Sequence, residues 1–573
     1  MHPLLNKLLK NTLILSGTLN ISIFNFSTAY AAVPDASAQQ QIVQNRQQNL
    51  TSKQAQENLI RRAGQNMTKT PHKTSRLEVF SLPKEEKSFK IDSFYLENTE
   101  YSQNFKWINK YLADFNGQYV GVNGINMLMN AINAEIINRG YITTRIYIEP
   151  QDLSSGRLYF SLQPGLIEDI RFRKETWGTY ANAVPMQKGS LLNIRDVEQA
   201  IDNFNSVPGQ RADIKIEPGS KEGHSDLIID IERNKPWSFS FSLDNSGIDT
   251  TGKNQFTAAV RLSQPLSIND VFYASRSVDT SEAGDIKGTN AASFFYAVPL
   301  GKERFSFSHS QNNYHQTVTY AVNPFISSGR FTYDSFRWLH LLQRNQHSKT
   351  DFVFGIVHKT RHSYINGTEI GVQRQKTTAM QIGLNHRQYF GPSVLDTSFI
   401  WQKGMPWFAD PGVTDNLPGE ATSRYNMYLF DADFTAPLHI AQDYDAQYNL
   451  SIRAQKTPDK VYGSEFFSIG DWYSVRGFDG EQNLSAENGF VLRNEIRFPF
   501  AQNQQFYLAF DYGAVSGPSA EYLLGDEMTG TAVGLRGRTG AYQYDAFIAC
   551  PLKKPDGFKC DSHTFGFMLS AEL

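Results

Sequence analysis

The sequence predicts a large antiparallel β-barrel preceded by two small α/β domains. Beyond Trp237 apolar residues alternate with small or charged ones, as in Trp237–Leu243, where every second residue is Ser. About sixteen such strands can be counted, separated by alternately short and long connections. No run of about 18 apolar residues follows the first thirty, which excludes a multi-helix membrane protein but not a barrel.

Composition narrows the function classes. The 573 residues include 55 basic and 57 acidic ones, so no global positive field exists to attract nucleic acid. Hydrophobic residues make up 40% and charged residues 20%, which excludes wholesale disorder. The sequence contains no H-E-x-x-H, G-x-S-x-G or phosphate-binding G-x-x-x-x-G-K-[ST] string. We therefore expect neither an enzyme nor a cofactor or metal site.

The first 31 residues predict a signal peptide. Lys7 and Lys10 precede a stretch rich in Leu and Ile, and Ala29-Tyr30-Ala31 fits a small-x-small cleavage site. Because Ser and Asn dilute the apolar stretch, a cytosolic amphipathic N-terminus is the alternative. A cleaved signal would place the mature chain in the cell envelope.

Residues 35–65 predict a polar helix. They are rich in Gln, and Asp35 and Gly64 fit its start and its end. A helix that is polar all round either bridges solvent or lies in a polar cavity, and a solvated tail is the alternative. Residues 66–87 contain Pro71 and Pro83 with a charged cluster, and predict a linker.

Residues 88–164 and 165–235 predict two tandem domains of one βααββ-like kind. In the first, apolar residues from Ile125 to Ile136 recur at helical spacing, and Gly140 follows as a stop. The second repeats the plan. The remaining predicted elements are a first strand over Phe89–Leu96, strands Tyr141–Ile148, Arg157–Leu162, Leu166–Phe172, Ala212–Ile216 and Asp226–Ile231, and helix Ile194–Phe204.

Residues 236–573 predict a barrel that crosses an outer membrane. Short breaks alternate with long ones all the way along, which is typical of short periplasmic turns and longer outer loops. A soluble sandwich has no reason to sort its loops by side. The long breaks are expected near 245–253, 280–289, 311–328, 361–374, 403–423, 457–486, 516–528 and 551–561.

The two cysteines, Cys550 and Cys560, lie ten residues apart and flank Pro551 and Gly557. In an oxidising compartment they could close a small loop by a disulfide, with two unpaired buried thiols as the alternative. Because both are expected in the last long connection, on the outer side, we predict that they are bridged.

The longest predicted loop, 457–486, contains Val475-Arg476-Gly477-Phe478. At this point the chain resembles the two-partner-secretion transporters, the TpsB family that includes ShlB, FhaC and CdiB. The resemblance covers essentially the whole mature chain. Further similar strings are Gly140-Tyr141, Pro150-Gln151-Asp152-Leu153, Asn193-Ile194-Arg195-Asp196-Val197-Glu198-Gln199-Ala200, Pro218-Gly219, Arg493-Asn494-Glu495 and Phe510-Asp511-Tyr512-Gly513.

The resemblance implies an all-β transmembrane barrel of 16 antiparallel strands with two periplasmic POTRA domains and a plug helix, which 35–65 would form. It implies export of one large partner exoprotein to the cell surface by a transporter in outer-membrane lipid, expected to be a monomer. The POTRA domains would receive the partner's N-terminal secretion domain by strand addition at an exposed edge.

The loop motif predicts a charged contact inside the barrel. The resemblance implies that the loop folds inward and places Arg476 against the barrel wall; an ordinary loop arginine is the alternative. Asp511, followed by Gly513, has the lumen-facing parity of its strand, and Glu495 is the second candidate partner. Gly477 would allow a tight turn at the loop tip.

Other membrane proteins fit less well. A TonB-dependent receptor would need a larger barrel and a domain-sized plug, and an autotransporter would place its passenger before a smaller barrel. The closest alternative is an outer-membrane insertase, which shares POTRA domains and an Arg-Gly-Phe loop. Two POTRA domains and an N-terminal helix favour the exporter.

Overall fold

The structure, a computed structural model, describes residues 79–97, 100–280, 286–318, 324–410, 415, 419–441 and 444–573. The predicted signal peptide (1–31), the predicted plug helix (35–65) and most of the predicted linker lie outside the described residues. Within these ranges no helix is long and apolar enough to cross a membrane.

The first α/β domain is built around one buried helix face. Its elements are β1 (Phe89–Ile91), β2 (Ser93–Leu96), α1 (Lys106–Leu112), β3 (Gln118–Val120), α2 (Val122–Asn138), β4 (Arg145–Tyr147) and β5 (Arg157–Gln163). Helix α2 turns Leu128, Ile132 and Ile136, which are spaced by four residues, onto a three-stranded sheet in which β2 and β5 are parallel. The other helix, α1, was not located from the sequence.

The end of the predicted linker belongs to this domain. Phe80 and Leu82 pack against its core, and the Glu85 carboxylate accepts the backbone N–H groups of Asn123 at 3.0 Å and Gly124 at 2.9 Å. These N–H groups start α2 and lower the pKa of Glu85. The prediction that 66–87 is linker throughout is therefore wrong for its last residues. Two apolar side chains and one carboxylate that caps α2 bind these residues to the first domain.

The second domain contains β6 (Leu166–Phe172), α3 (Ile194–Asn205), β7 (Gln210–Pro218) and β8 (His224–Arg233) in the sheet order β6-β8-β7. The expected second helix is absent from the described residues here, so the βααββ prediction is wrong for this domain. Residues 173–193 instead cover the core without helix, inserting Ala183, Val184 and Met186. A non-helical segment can complete this core because the core needs only the apolar side chains, whatever the conformation of the backbone that carries them.

The two domains meet at two of the strings singled out above. The Ile194 N–H donates to the Gly140 carbonyl at 2.9 Å, and a Cβ on Gly140 would lie 2.2 Å from Asn193 Oδ1. Gly140 also has φ +97°, a conformation that favours glycine. The junction therefore fixes the end of α2 against the start of α3.

Side-chain amides cap the strand edges of both domains. Asn133 pairs with both backbone groups of Ile146, and Gln151 does the same for Tyr159, with distances of 2.8 to 3.1 Å. Such caps occupy the N–H and C=O groups that another strand would need. The remaining amide caps are Asn109 on Leu96, Asn116 on Phe94 and Asn205 on Ala212.

Sixteen long antiparallel strands close into a barrel, which confirms the predicted architecture. They are β9 (Trp237–Asp244), β10 (Gln255–Ser263), β11 (Val271–Asp279), β12 (Lys287–Leu300), β13 (Glu303–Val318), β14 (Phe325–Arg344), β15 (Ser348–Ile365), β17 (Gln375–Phe390), β18 (Ser393–Asp410), β19 (Asn426–Ala441), β20 (Tyr444–Lys456), β23 (Asn488–Ala501), β24 (Gln504–Ser516), β25 (Glu527–Thr539), β26 (Tyr542–Lys553) and β27 (Thr564–Glu572). Three short strands, β16 (Thr368–Glu369), β21 (Phe467–Ile469) and β22 (Leu484–Ala486), belong to the connections. The barrel closes where β27 pairs back onto β9.

Several strands run further than the sequence predicted. Strands β13, β14 and β15 have 16, 20 and 18 residues, whereas crossing a membrane takes about 9–11. The breaks expected near 311–328, 361–374 and 403–423 are therefore partly strand. Polar residues occupy both faces of these extensions, so the alternation that marks a strand is lost although the hydrogen-bonded ladder continues.

The second domain is docked on one end of the barrel, here called the inner mouth, which carries the short turns at 264–270, 301–302 and 345–347. Arg344 extends from the barrel to α3, where Nε donates to Glu198 at 3.2 Å and Nη1 pairs with Asp202. Asn203 of α3 donates to the Gly301 carbonyl at 2.7 Å. Because these groups are buried, the contact is held by charge-assisted hydrogen bonds.

Candidate functional site

The long connection between β20 and β23 packs inside the barrel. Its two short strands, β21 and β22, pair to form a hairpin base. Beyond the hairpin, Val475 and Phe478 are buried against Val491, Val515 and Met528. Apolar contacts thus hold the loop tip, residues 474–480, against the wall made by β23, β24 and β25.

Arg476 makes a two-pronged contact with Asp511 of β24. Its Nε lies 2.6 Å from Oδ2 and its Nη2 lies 2.8 Å from Oδ1, and its own backbone N–H donates to Oδ2 at 3.0 Å. Arg476 is 3% exposed and Asp511 is fully buried. The fork of the guanidinium matches the carboxylate, so the pair fixes both the position and the orientation of the loop tip.

Glu495 of β23 is also a partner of Arg476. Its Oε2 accepts from Arg476 Nη1 at 2.8 Å, while its Oε1 accepts from Arg497 at 2.5 Å and from Arg536 at 3.1 Å. The structure therefore brings the motif arginine together with both candidate carboxylates. Asp545 continues the network by accepting from Arg536 at 2.7 Å. Alternating charges compensate one another across four neighbouring strands, β23 to β26.

Glycines let the loop backbone approach the wall. A Cβ on Gly530 would lie 1.7 Å from the Arg476 carbonyl oxygen, and one on Gly513 would lie 2.9 Å from Val475 Cγ2. Gly477 has φ +106°, and a Cβ there would meet the backbone of Cys550 at 2.5 Å. No side chain fits at these positions without moving the loop.

Sequence reasoning missed Gly530, Arg497, Arg536 and Asp545. The available signal was weak: a glycine inside a strand often marks close backbone approach, and Gly530 stands inside β25. The charged residues lie on the lumen-facing parity of their strands, but parity alone does not show which of them meet.

The two cysteines are not bridged in the structure, so the disulfide prediction is wrong there. Strand β26 continues to Lys553, so Cys550 lies in the strand rather than in the loop, on the outward parity of Ile548. Cys560 packs instead beside the apolar cluster around the loop tip, next to Phe558. The strand continues because Cys550 is paired with Thr531 of β25.

Three family models match the chain. The model described as haemolysin secretion/activation protein ShlB/FhaC/HecB matches residues 223–537. A POTRA domain model of the ShlB type matches 89–165, and a second POTRA domain model matches 166–218. The two α/β domains are therefore POTRA domains.

Known proteins resemble the chain along most of its length. It is 35% identical over 519 residues to the outer membrane transporter CdiB-2 of Burkholderia pseudomallei, covering 86% of this chain and 88% of that protein. It is 25% identical over 386 residues to the hemolysin transporter protein ShlB of Serratia marcescens, covering 67% and 68%. The solved structure of CdiB from Acinetobacter baumannii matches with a TM-score of 0.81 and 26% identity, covering 96% of this chain and 100% of that one. The chain therefore belongs to the ShlB/FhaC/HecB family of haemolysin secretion/activation proteins, as an outer-membrane transporter of two-partner secretion with its POTRA domains in the periplasm.

Proposed function

We propose that this transporter exports a large exoprotein of the contact-dependent toxin class, whose N-terminal secretion domain binds the POTRA domains. The observation that carries the proposal is the docking of the second POTRA domain on the inner mouth of a closed barrel, since it delivers a bound chain to the lumen. The likeness to transporters named CdiB, at 35% identity for one of them, supports the toxin class over haemolysins and adhesins.

We further propose that the transporter works as a monomer in outer-membrane lipid. Large apolar side chains point outward from the barrel, for example Phe239, Phe241 and Phe256 at 38–45% exposure, as a lipid-facing band requires. The barrel closes on itself, so its sheet leaves no edge that needs a second copy.

The role we propose for the Arg476–Asp511 pair is to hold the loop tip in the conducting path. A connection of about thirty residues is too long to be held by its ends alone, so an interior anchor sets where its tip lies. The transporter itself is proposed to carry no catalytic activity. Folding of the exported chain outside the cell would then supply the direction of transport.

Deleting the transporter gene in its own host tests this function. The polypeptide encoded beside the gene, carrying an epitope tag, is expected to disappear from the cell surface and medium while other outer-membrane barrels keep their levels. Killing of neighbouring susceptible cells should stop as well. Depletion of many barrels would indicate an insertase, and undiminished surface polypeptide would contradict export.

Deleting residues 35–65 is expected to raise the conductance of the purified transporter in a planar bilayer several-fold. As a helix this segment would be about 45 Å long, enough to obstruct the lumen along its length. The barrel should still fold, because closure rests on strand pairing, and heat-modifiable gel mobility checks this. Unchanged conductance of a folded barrel would rule out the plug assignment.

A further inference from the structure

Most edges of the two three-stranded POTRA sheets, β2-β5-β4 and β6-β8-β7, are closed to strand addition. Side-chain amides cap β2, β4 and β5 in the first domain and the start of β7 in the second. The start of β6 is covered by its own chain, since the Ile167 N–H donates to Ser190 at 3.0 Å and its carbonyl accepts from Gly189 at 2.7 Å. A partner that binds by strand addition therefore has few places to pair.

The end of β6 is open. Arg171 faces β8 in the parallel ladder, so the backbone groups of Ile170 and Phe172 face away from the sheet. Among the residues that the structure describes, the Ile170 N–H is bonded only to the neighbouring Asp169 side chain, at 2.8 Å. In the described part of the chain, the Phe172 N–H and the carbonyls of both residues have no hydrogen-bond partner.

A groove adjoins this edge. It has a volume of about 620 Å³ and is lined by Phe172, Lys174, Glu175, Thr176 and Trp177. Trp177 is 45% exposed, although tryptophan side chains are highly buried on average.

The chain that follows the groove is tied to the barrel. The Thr179 N–H donates to Ser267, in the turn between β10 and β11, at 3.1 Å, and the Asn269 side chain donates back to Thr179 at 2.7 Å. The open edge, the exposed ring and the barrel mouth are therefore consecutive along one path.

The end of β7 is the second open edge, but it lacks these additions. Its outward backbone groups belong to Ile214 and Ile216, and Pro218, which has no N–H, ends the strand. It stands on the opposite side of the sheet from β6, and none of its residues lines the groove.

We propose that an extended, unfolded segment of the exported polypeptide pairs with β6 at Ile170–Phe172 and lays an aromatic or aliphatic side chain against Trp177. This inference rests on the proposed export function and assigns its receiving site. Backbone pairing suits a transported chain because every polypeptide offers the same N–H and C=O groups. The ring beyond the edge adds a preference for apolar side chains, and the chain that follows the ring, tied to the barrel at Thr179, places the paired segment near the inner mouth.

Two substitutions at one residue test the backbone contact. Phe172→Ala removes the ring but keeps the outward N–H, whereas Phe172→Pro removes both the ring and the N–H. The Phe172 N–H is not part of the β6–β8 ladder, so the proline leaves that ladder intact. We expect Phe172→Pro to lower secretion of the tagged neighbouring polypeptide at least fivefold below Phe172→Ala. Equal secretion by the two variants would overturn the proposal.

Crosslinking locates the segment independently of these variants. A photo-reactive amino acid placed at Trp177 of the full-length transporter is expected to capture the tagged polypeptide in cells, and one at Ile216 is expected to capture much less. Capture at Ile216 alone would assign strand addition to β7 and overturn the β6 site. If unmodified transporter secretes nothing, the export function fails instead, so the two failures are distinguishable.

Discussion

Arg476→Ala is expected to abolish most secretion while the barrel still folds. The substitution removes every side-chain hydrogen bond between the loop tip and the wall carboxylates and leaves Asp511 buried, with Arg493 as its nearest remaining cation at 3.8 Å. Removing one member of a buried ion pair costs about 3–5 kcal/mol. Because about 1.4 kcal/mol is a factor of ten, the docked loop would lose about a hundredfold or more in population.

Asp511→Ala should have a somewhat smaller effect. Arg476 would keep its bond to Glu495 at 2.8 Å, so one side-chain hydrogen bond from the tip to the wall carboxylates would remain. The double variant should be no worse than Arg476→Ala, because the pair acts as one unit. Measuring secretion over this double-mutant cycle tests whether the two residues act as one unit. Heat-modifiable gel mobility checks that each variant folds.

Arg374→Ala is the matched control. Arg374 also pairs with an aspartate, Asp410, but at 3.6 Å and with both side chains about half exposed. Exposed pairs of this kind contribute little, so secretion should stay close to normal. Additive losses at Arg476 and Asp511, or an equal loss at Arg374, would contradict the anchoring role.

Gly530→Ala is expected to impair secretion about as strongly as Arg476→Ala, although it changes no charge. The added methyl would overlap the Arg476 carbonyl oxygen, because the two atoms would be only 1.7 Å apart. The neighbour is backbone, so it cannot rotate away as a flexible side chain would. The loop tip must therefore leave the wall, taking the guanidinium out of reach of Asp511.

The control for Gly530 is Gly371→Ala. A Cβ on Gly371 would meet none of the described atoms within 4 Å, and its backbone is not in the left-handed region. Both variants should show wild-type heat modifiability, and only Gly530→Ala should lose secretion. Normal secretion by a folded Gly530→Ala transporter would show that the close approach of loop and wall is dispensable.

The barrel could be predicted from the sequence because the alternation of apolar and polar residues and the lengths of the loops are both properties of local stretches of chain. Parity alone put Asp511 on the interior face, and the Val-Arg-Gly-Phe string marked the loop that contacts it. Which carboxylates meet Arg476 depends instead on the relative positions of separate strands, and Arg536 comes to Glu495 only through the register of β23, β24 and β25.

The misplaced elements have equally physical reasons. Strands β13 and β14 extend through segments polar on both faces, where pairing leaves no trace in hydrophobicity. The disulfide prediction counted Cys550 with the last long connection, expected near 551–561, but the ladder with β25 holds that residue in β26. Residues 173–193 supply core side chains at irregular spacing. Their sequence therefore had no periodicity that could indicate or exclude a helix.

The order of the chain also sets an order of assembly. The loop tip precedes in sequence the wall residues that hold it: Glu495, Asp511, Gly530 and the backbone of Cys550 come later, and Phe558, whose ring lies 6.0 Å from Phe478, comes later still. The tip therefore cannot settle until nearly the whole chain has been synthesised and inserted. A transporter interrupted before β24 would lack Asp511, Val515 and Met528, so Val475, Phe478 and Arg476 would stay undocked. Docking of this loop therefore separates a barrel whose wall is in place from an unfinished one that quality-control proteases can recognise.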